Sequence, residues 1–183
     1  MNYECYHKLG RGKYSEVYSG YCKANNQKAI IKVLKPVKAE KIYREIKILQ
    51  TLWGGPNVVK LCDLIKEQKS KTPCFIYEYM PSSETKLISP SFDDRDVRIY
   101  IFKILQALEF SHRHGIMHRD VKPLNIVINH EDKELRLIDW GLAFDSSYKR
   151  DHNADGVSRL ATYRPFQFNV LPSCIIFNSE FRT

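Results

Sequence analysis

His118-Arg119-Asp120-Val121-Lys122-Pro123-Leu124-Asn125, followed by Asp139-Trp140-Gly141, is the part of the sequence from which the rest can be read. Its polar side chains have complementary chemistry. A carboxylate at Asp120 can accept or orient the proton of an attacking hydroxyl. The Lys122 ammonium can stabilise negative charge on a phosphoryl group in transit. Asn125 offers an amide oxygen and Asp139 a carboxylate, both hard donors suited to magnesium. The triplet H-R-D arises anywhere by chance, but the full octad with D-W-G fourteen residues beyond Asn125 does not.

Two upstream features stand in the order this chemistry needs. Leu9-Gly10-Arg11-Gly12-Lys13-Tyr14-Ser15-Glu16-Val17 lies between two expected strands. Glycines there let backbone amides approach phosphate oxygens closely, as a flap over a nucleotide requires. The same pattern also marks an ordinary hairpin turn, and Ser15 stands where a third glycine would. Lys32 follows Ala29-Ile30-Ile31 and is a charged residue in an apolar strand. If buried it needs an anion, which Glu45 on the next helix could supply. The competing reading is an edge lysine facing water.

Working outward, the periodicity predicts strands at Tyr3–Leu9, Glu16–Tyr21, Lys28–Leu34, Val58–Ile65 and Cys74–Met80. Ile42, Ile46, Leu49 and Leu52 predict a helix that ends at Gly54-Gly55-Pro56. A second helix is expected with Val97, Ile101, Ile104, Leu105 and Leu108 on one face, and Asp93 and Asp94 at its start. Asn125–Ile128 and Leu135–Ile138 read as a hairpin. The fold class is α+β.

The chain has 183 residues and a net charge of +8, which favours acidic or phosphate-bearing partners. Five cysteines without a C-x-x-C pair argue for a reducing compartment, cytoplasm or nucleus. No apolar run is long enough to span a bilayer. No nucleic-acid motif accompanies the lysines, so a nucleic-acid binder ranks last.

The ordered motifs resemble the protein-kinase signature. Within that family LGRGKYSEVY, VLKPVK, KIYREIKIL, GGPN, GIMHRDVKP and LRLIDWGLA are similar to the catalytic α subunits of casein kinase 2. The tryptophan of D-W-G and the serine of the glycine loop are peculiarities shared with that group. The resemblance implies a five-stranded small lobe with one main helix over residues 1–80 and a hinge near Glu78-Tyr79-Met80. It implies a partial large lobe over residues 81–165, and residues 166–183 form a tail that matches nothing. Asp120, Lys122, Lys32 and Glu45 would be the catalytic set, with Asn125 and Asp139 as magnesium ligands. Leu9 to Val17 would cover the nucleotide. Val17, Ile30, Val59, Val127 and Ile138 would wall the base, beside Glu78 and Met80, with Tyr77 limiting the depth.

The same resemblance implies use of ATP, and also GTP, with Mg²⁺, to phosphorylate serine or threonine in acidic protein substrates. A regulatory β subunit would dock on the small lobe at positions including Tyr3, Cys5, Tyr18, Ile31 and Val33, for which strand packing is the competing reading. Lys28 to Lys47 holds seven basic residues against two acidic, which keeps an acid-seeking strip. The strip is thinned at Ala39, Glu40 and Tyr43. In the activation segment Arg159 fits the family, whereas Asp155 and Thr162 stand where it is basic. The likeness is lost after Arg159, so a C-terminally truncated member is expected, of low stability and weak turnover. A non-catalytic module binding nucleotide or the regulatory subunit is the alternative.

Overall fold

The computed structural model describes residues 2–67, 71–81 and 92–146. The expected tail and the positions Asp155, Arg159 and Thr162 lie outside the described residues. Five strands form one antiparallel sheet: β1 (Tyr3–Arg11), β2 (Ser15–Cys22), β3 (Lys28–Leu34), β4 (Leu61–Lys66) and β5 (Pro73–Glu78). Their spatial order is β1-β2-β3-β5-β4. Helix α1 (Ala39–Thr51) covers one face.

Strand alternation assigns the two faces of this sheet different tasks. Ala29 and Ile31 pack with Cys74 and Ile76 on the outer face, where Tyr3, Tyr18 and Val33 join them. Leu34, Phe75 and Tyr77 point the other way and meet Ile46, Ile48 and Leu49 of α1 and Leu52 just after it. Lys32 shares the parity of Ile30 and Leu34, so its side chain is directed to the same side as α1.

Gly20 pairs with Cys5 across β1 and β2. A β-carbon there would overlap the Glu4 carbonyl oxygen and the tip of Ile31. Because one obstacle is backbone, Gly20→Ala is expected to destabilise the chain by about 1–3 kcal/mol. Urea denaturation measures this, and an unchanged midpoint would mean that β1 can shift aside freely.

Helix α2 (Asp94–Arg113) begins with a capping box in which Asp93 accepts from the Asp96 amide and Asp96 returns the bond. The strands β6 (Ile116–Met117), β7 (Ile126–Asn129), β8 (Glu134–Leu137) and β9 (Phe144–Asp145) follow. β7 pairs with β8, and β6 with β9. The buried face of α2 carries Tyr100, Ala107 and Ser111. The face expected from sequence divides: Ile104 and Leu108 are half-buried, while Val97, Ile101 and Leu105 are exposed among the described residues. The helix is apolar on several sides, so its periodicity does not select one stripe.

β4 starts three residues later than expected. The backbone of Val58 and Val59 turns to β8 instead: Val58 bridges to Leu137, and the Val59 amide donates to the Leu137 carbonyl at 3.2 Å. The Leu137 amide in turn donates to the Asn57 carbonyl at 2.7 Å, and Asn57 Nδ2 donates to the Lys103 carbonyl of α2 at 3.0 Å. The segment after α1 is thereby pinned to α2 and β8, between which the polar octad lies in sequence. One apolar cluster runs from Leu34 through α1 to Leu137, Trp140 and Ala143.

Candidate active site

Three segments distant in sequence meet at Lys32. Its Nζ lies 2.7 Å from Glu45 Oε1 and 3.0 Å from Asp139 Oδ1. The strand supplies the lysine, α1 the glutamate, and the turn after β8 the aspartate. Burial works against the lysine's charge, but the Glu45 and Asp139 carboxylates overcome it and the pKa rises above the ordinary value. Lys32 is therefore a fixed cation. The Glu45 side chain is 9% exposed, whereas that of Asp139 is 49% exposed, so one carboxylate is structural and the other is available to solvent or ligand.

The turn that presents Asp139 is tightly built. Asp139 itself has left-handed backbone angles, φ 59° and ψ 68°. Trp140 is buried at 1% exposure, donates from Nε1 to the Leu137 carbonyl at 3.1 Å, and meets the His118 ring edge-on. At Gly141 a β-carbon would stand 3.1 Å from Glu45 Oε2, close enough to disturb the Lys32 pair. The tryptophan wedges the turn in place and the glycine keeps it clear of α1.

The octad closes on itself. Lys122 Nζ is 2.7 Å from Asp120 Oδ2, and Asn125 Nδ2 donates to the same oxygen at 2.9 Å and to the Asp120 carbonyl at 2.8 Å. The hydrogen bond from Lys122, helped by that from Asn125, holds the Asp120 carboxyl below the usual carboxylate range. Asp120 is thus ionised and oriented. Arg119, at φ 66°, donates from Nε to the Leu142 carbonyl at 2.8 Å, tying the octad to the turn after Asp139.

His118 links the two motifs. The Asp120 amide donates to its Nδ1 at 3.2 Å, which leaves Nε2 to donate to the Ile138 carbonyl at 3.0 Å. Both bonds are satisfied by a neutral ring, and burial lowers its pKa from the ordinary 6.5. A depressed folded-state pKa contributes stability that is complete above 6.5 and is lost as the pH falls toward the folded value. The melting temperature is therefore expected to fall as the pH drops below 6.5. His118→Gln should flatten that step, and a profile equally steep in the variant would contradict the assignment.

The glycine loop is held down at its tip. The Gly12 amide donates to the Ser15 carbonyl at 2.8 Å, and Lys35 Nζ donates to the Gly12 carbonyl at 2.7 Å. Lys13 and Lys41 lie over the Tyr14 ring, 5.3 and 5.2 Å from its centroid. Glu16 is occupied by Lys8, Arg11 and the Tyr18 hydroxyl. Leu9 is exposed and Val17 half-buried.

Of the expected base-lining residues, Ile30, Val59 and Ile138 pack in one cluster with Tyr77, while Val127 and Met80 are half-buried. Glu78 uses its side chain inside the protein. Its Oε1 accepts from the Lys60 amide at 2.9 Å and from Arg136 Nε at 3.0 Å, joining β5 to β8.

Sequence reading missed Lys35, Arg136 and the Tyr77 hydroxyl, whose partners lie on other elements.

The donor set at Asp139 and Asn125 fits magnesium. Both residues offer oxygen, and the Asn125 amide nitrogen is already committed to Asp120, leaving its carbonyl oxygen for a metal. No group of three or more metal-binding His, Cys, Asp or Glu side chains gathers among the described residues. Magnesium commonly takes one or two protein oxygens and completes its shell with phosphates and water. No helix among the described residues is long and apolar enough to cross a membrane. A family model described as protein kinase domain matches residues 3–164.

Proposed function

The chain belongs to the protein kinase domain family, and from that premise we propose that it is a serine/threonine kinase of the casein kinase 2 type. The observation that carries this reading is the convergence of Lys32, Glu45 and Asp139, together with the closed Asp120, Lys122 and Asn125 set. Sheet β1–β5 with α1 serves as the small lobe, and α2 with β6–β9 opens the large one.

Asp139 and Asn125 would hold magnesium, which would supply neutralisation of the nucleotide's phosphate charge. Lys32, kept cationic by its pairing, binds the inner phosphates. The backbone of Gly10 to Ser15 covers them, and Ile30, Val59 and Ile138 exclude water from the base. Asp120 accepts a hydrogen bond from the attacking hydroxyl and takes its proton. Lys122 carries its positive charge beside the transferring group. Catalysis of this kind is positioning plus electrostatic stabilisation.

The preference for serine or threonine in acidic surroundings rests on the likeness in LGRGKYSEVY, GIMHRDVKP and LRLIDWGLA, and on the exposed lysines Lys38, Lys41 and Lys47 at α1. Docking of a regulatory β subunit is supported by the exposed Cys5 beside Tyr3 and Tyr18 on the outer sheet face. Phosphoamino-acid analysis after incubation with Mg-ATP and a peptide panel tests the proposal. Phosphoserine or phosphothreonine on acid-flanked peptides is the expected product. Phosphotyrosine, or a preference for basic flanks, overturns it. The alternative, a binding module without turnover, is favoured by ATP or β-subunit binding with no phosphate incorporated.

A further inference from the structure

Tyr77 sits on β5 opposite Ile30 of β3. Its ring packs edge-on against Phe75 with centroids 6.2 Å apart, and the residue is 8% exposed. A phenylalanine would fill the same apolar space. What distinguishes the tyrosine is its hydroxyl, which donates to Glu45 Oε1 at 3.3 Å. That oxygen is also the one that receives the Lys32 ammonium at 2.7 Å.

Lys32 stands between two carboxylates that differ in freedom. Glu45 is held inside the protein, and Asp139 faces solvent from a turn. In the kinase reading Asp139 would help to hold a metal ion, and Lys32 would then depend on Glu45 alone for its place. Glu45 is carried by α1, a helix whose N-cap has no side-chain hydrogen bond. A second, uncharged donor that anchors the carboxylate to the sheet keeps it aimed at Lys32 when the other partner leaves.

We propose that Tyr77 is a positioning residue whose hydroxyl fastens Glu45 of α1 to β5 and so holds Lys32 toward the nucleotide phosphates. The inference rests on the kinase reading of the site. Burial, with the Glu45 charge adding to it, raises the pKa of the Tyr77 phenol well above the ordinary value, so the group is a donor at all working pH. A buried carboxylate that loses one of two donors becomes less well held, and the loss falls on the geometry of the surviving pair.

Tyr77→Phe separates this role from simple packing. The experiment is equilibrium binding of ATP in excess magnesium, and of adenosine, to the wild-type chain and the variant. ATP affinity is expected to fall about five- to tenfold, the worth of one ordinary hydrogen bond. Adenosine has no phosphates, so its affinity should be unchanged. With magnesium present, KM for ATP should rise by a similar factor while KM for the peptide stays constant. The melting temperature, measured alongside, should move by no more than about 2 °C, since the ring still fills its site.

Equal losses for ATP and adenosine would make Tyr77 a pocket-shaping residue and overturn the proposal. Unaltered ATP affinity would do the same. A wild-type chain that binds ATP but transfers no phosphate would refute the proposed activity. The selective loss of ATP binding in Tyr77→Phe would still establish the positioning role.

Discussion

Asp120→Asn is expected to lower phosphoryl transfer by about a hundred- to ten-thousandfold, the range associated with a positioned general base. The substitution is nearly isosteric, so the folding of the octad should survive it. Lys122 and Asn125 both direct hydrogen bonds to Asp120 Oδ2 in the wild-type chain. An amide oxygen can still accept such bonds, but the amide cannot take the proton of an incoming hydroxyl or match the charge of Lys122. Nucleotide affinity should stay within about twofold, because the residues assigned to the phosphates and base are elsewhere. Initial rates with a phosphoacceptor peptide and parallel ATP titrations measure the two effects. A variant transferring phosphate within about threefold of the wild-type rate would remove Asp120 from the mechanism.

Lys32→Met is expected to have two large effects. Removing the ammonium leaves Glu45, whose side chain is 9% exposed, without its close cation. Breaking a buried pair by deleting one partner costs about 3–5 kcal/mol, since the surviving charge remains desolvated. The Tyr77 hydroxyl offsets part of this, which places the expected loss near about 3 kcal/mol. Asp139 adds little, because its side chain is half exposed and water replaces the lysine. In the proposed mechanism the same substitution removes the cation assigned to the phosphates, so transfer should become undetectable. Lys32→Met/Glu45→Gln separates the effects. It should recover most of the stability, because a neutral amide still accepts from Tyr77, while transfer stays absent. Failure of the double variant to recover stability in urea denaturation would mean that the pair is not what holds α1 in place.

Sequence and structure agree most closely where the signal is local. Strands β1, β2, β3 and β5 fall where alternation and turn residues place them, because each carries one apolar face and ends in a polar or glycine-containing turn. The chemical residues are legible in the octad and in D-W-G because their spacing is short. The three-segment convergence is less so. That Lys32 turns toward α1 follows from strand parity, but Asp139 at 3.0 Å depends on a left-handed turn wedged by Trp140. Nothing in the local sequence sets that approach.

Non-local pairing accounts for the remaining differences. Val58 and Val59 have the composition of a strand and belong to no strand of the main sheet, since Val58 bridges to Leu137 and the Val59 amide donates to the Leu137 carbonyl. An apolar run looks the same whichever partner it finds. Val97, Ile101 and Leu105 have helical spacing, yet α2 buries the side marked by Tyr100, Ala107 and Ser111. The hydroxyl of Tyr77 and the guanidinium of Arg136 were likewise invisible, because their value lies in Glu45 and Glu78 on distant elements.

In the proposed mechanism Lys32, Asp120 and Asp139 together transfer the terminal phosphoryl group of ATP to a hydroxyl. Incorporation of phosphate from γ-labelled ATP into a serine-containing peptide, with and without magnesium, tests it most directly. The expected result is label on the serine that appears with magnesium and disappears when it is chelated. A folded chain, showing a cooperative melt, that incorporates no label at any magnesium concentration would contradict the account.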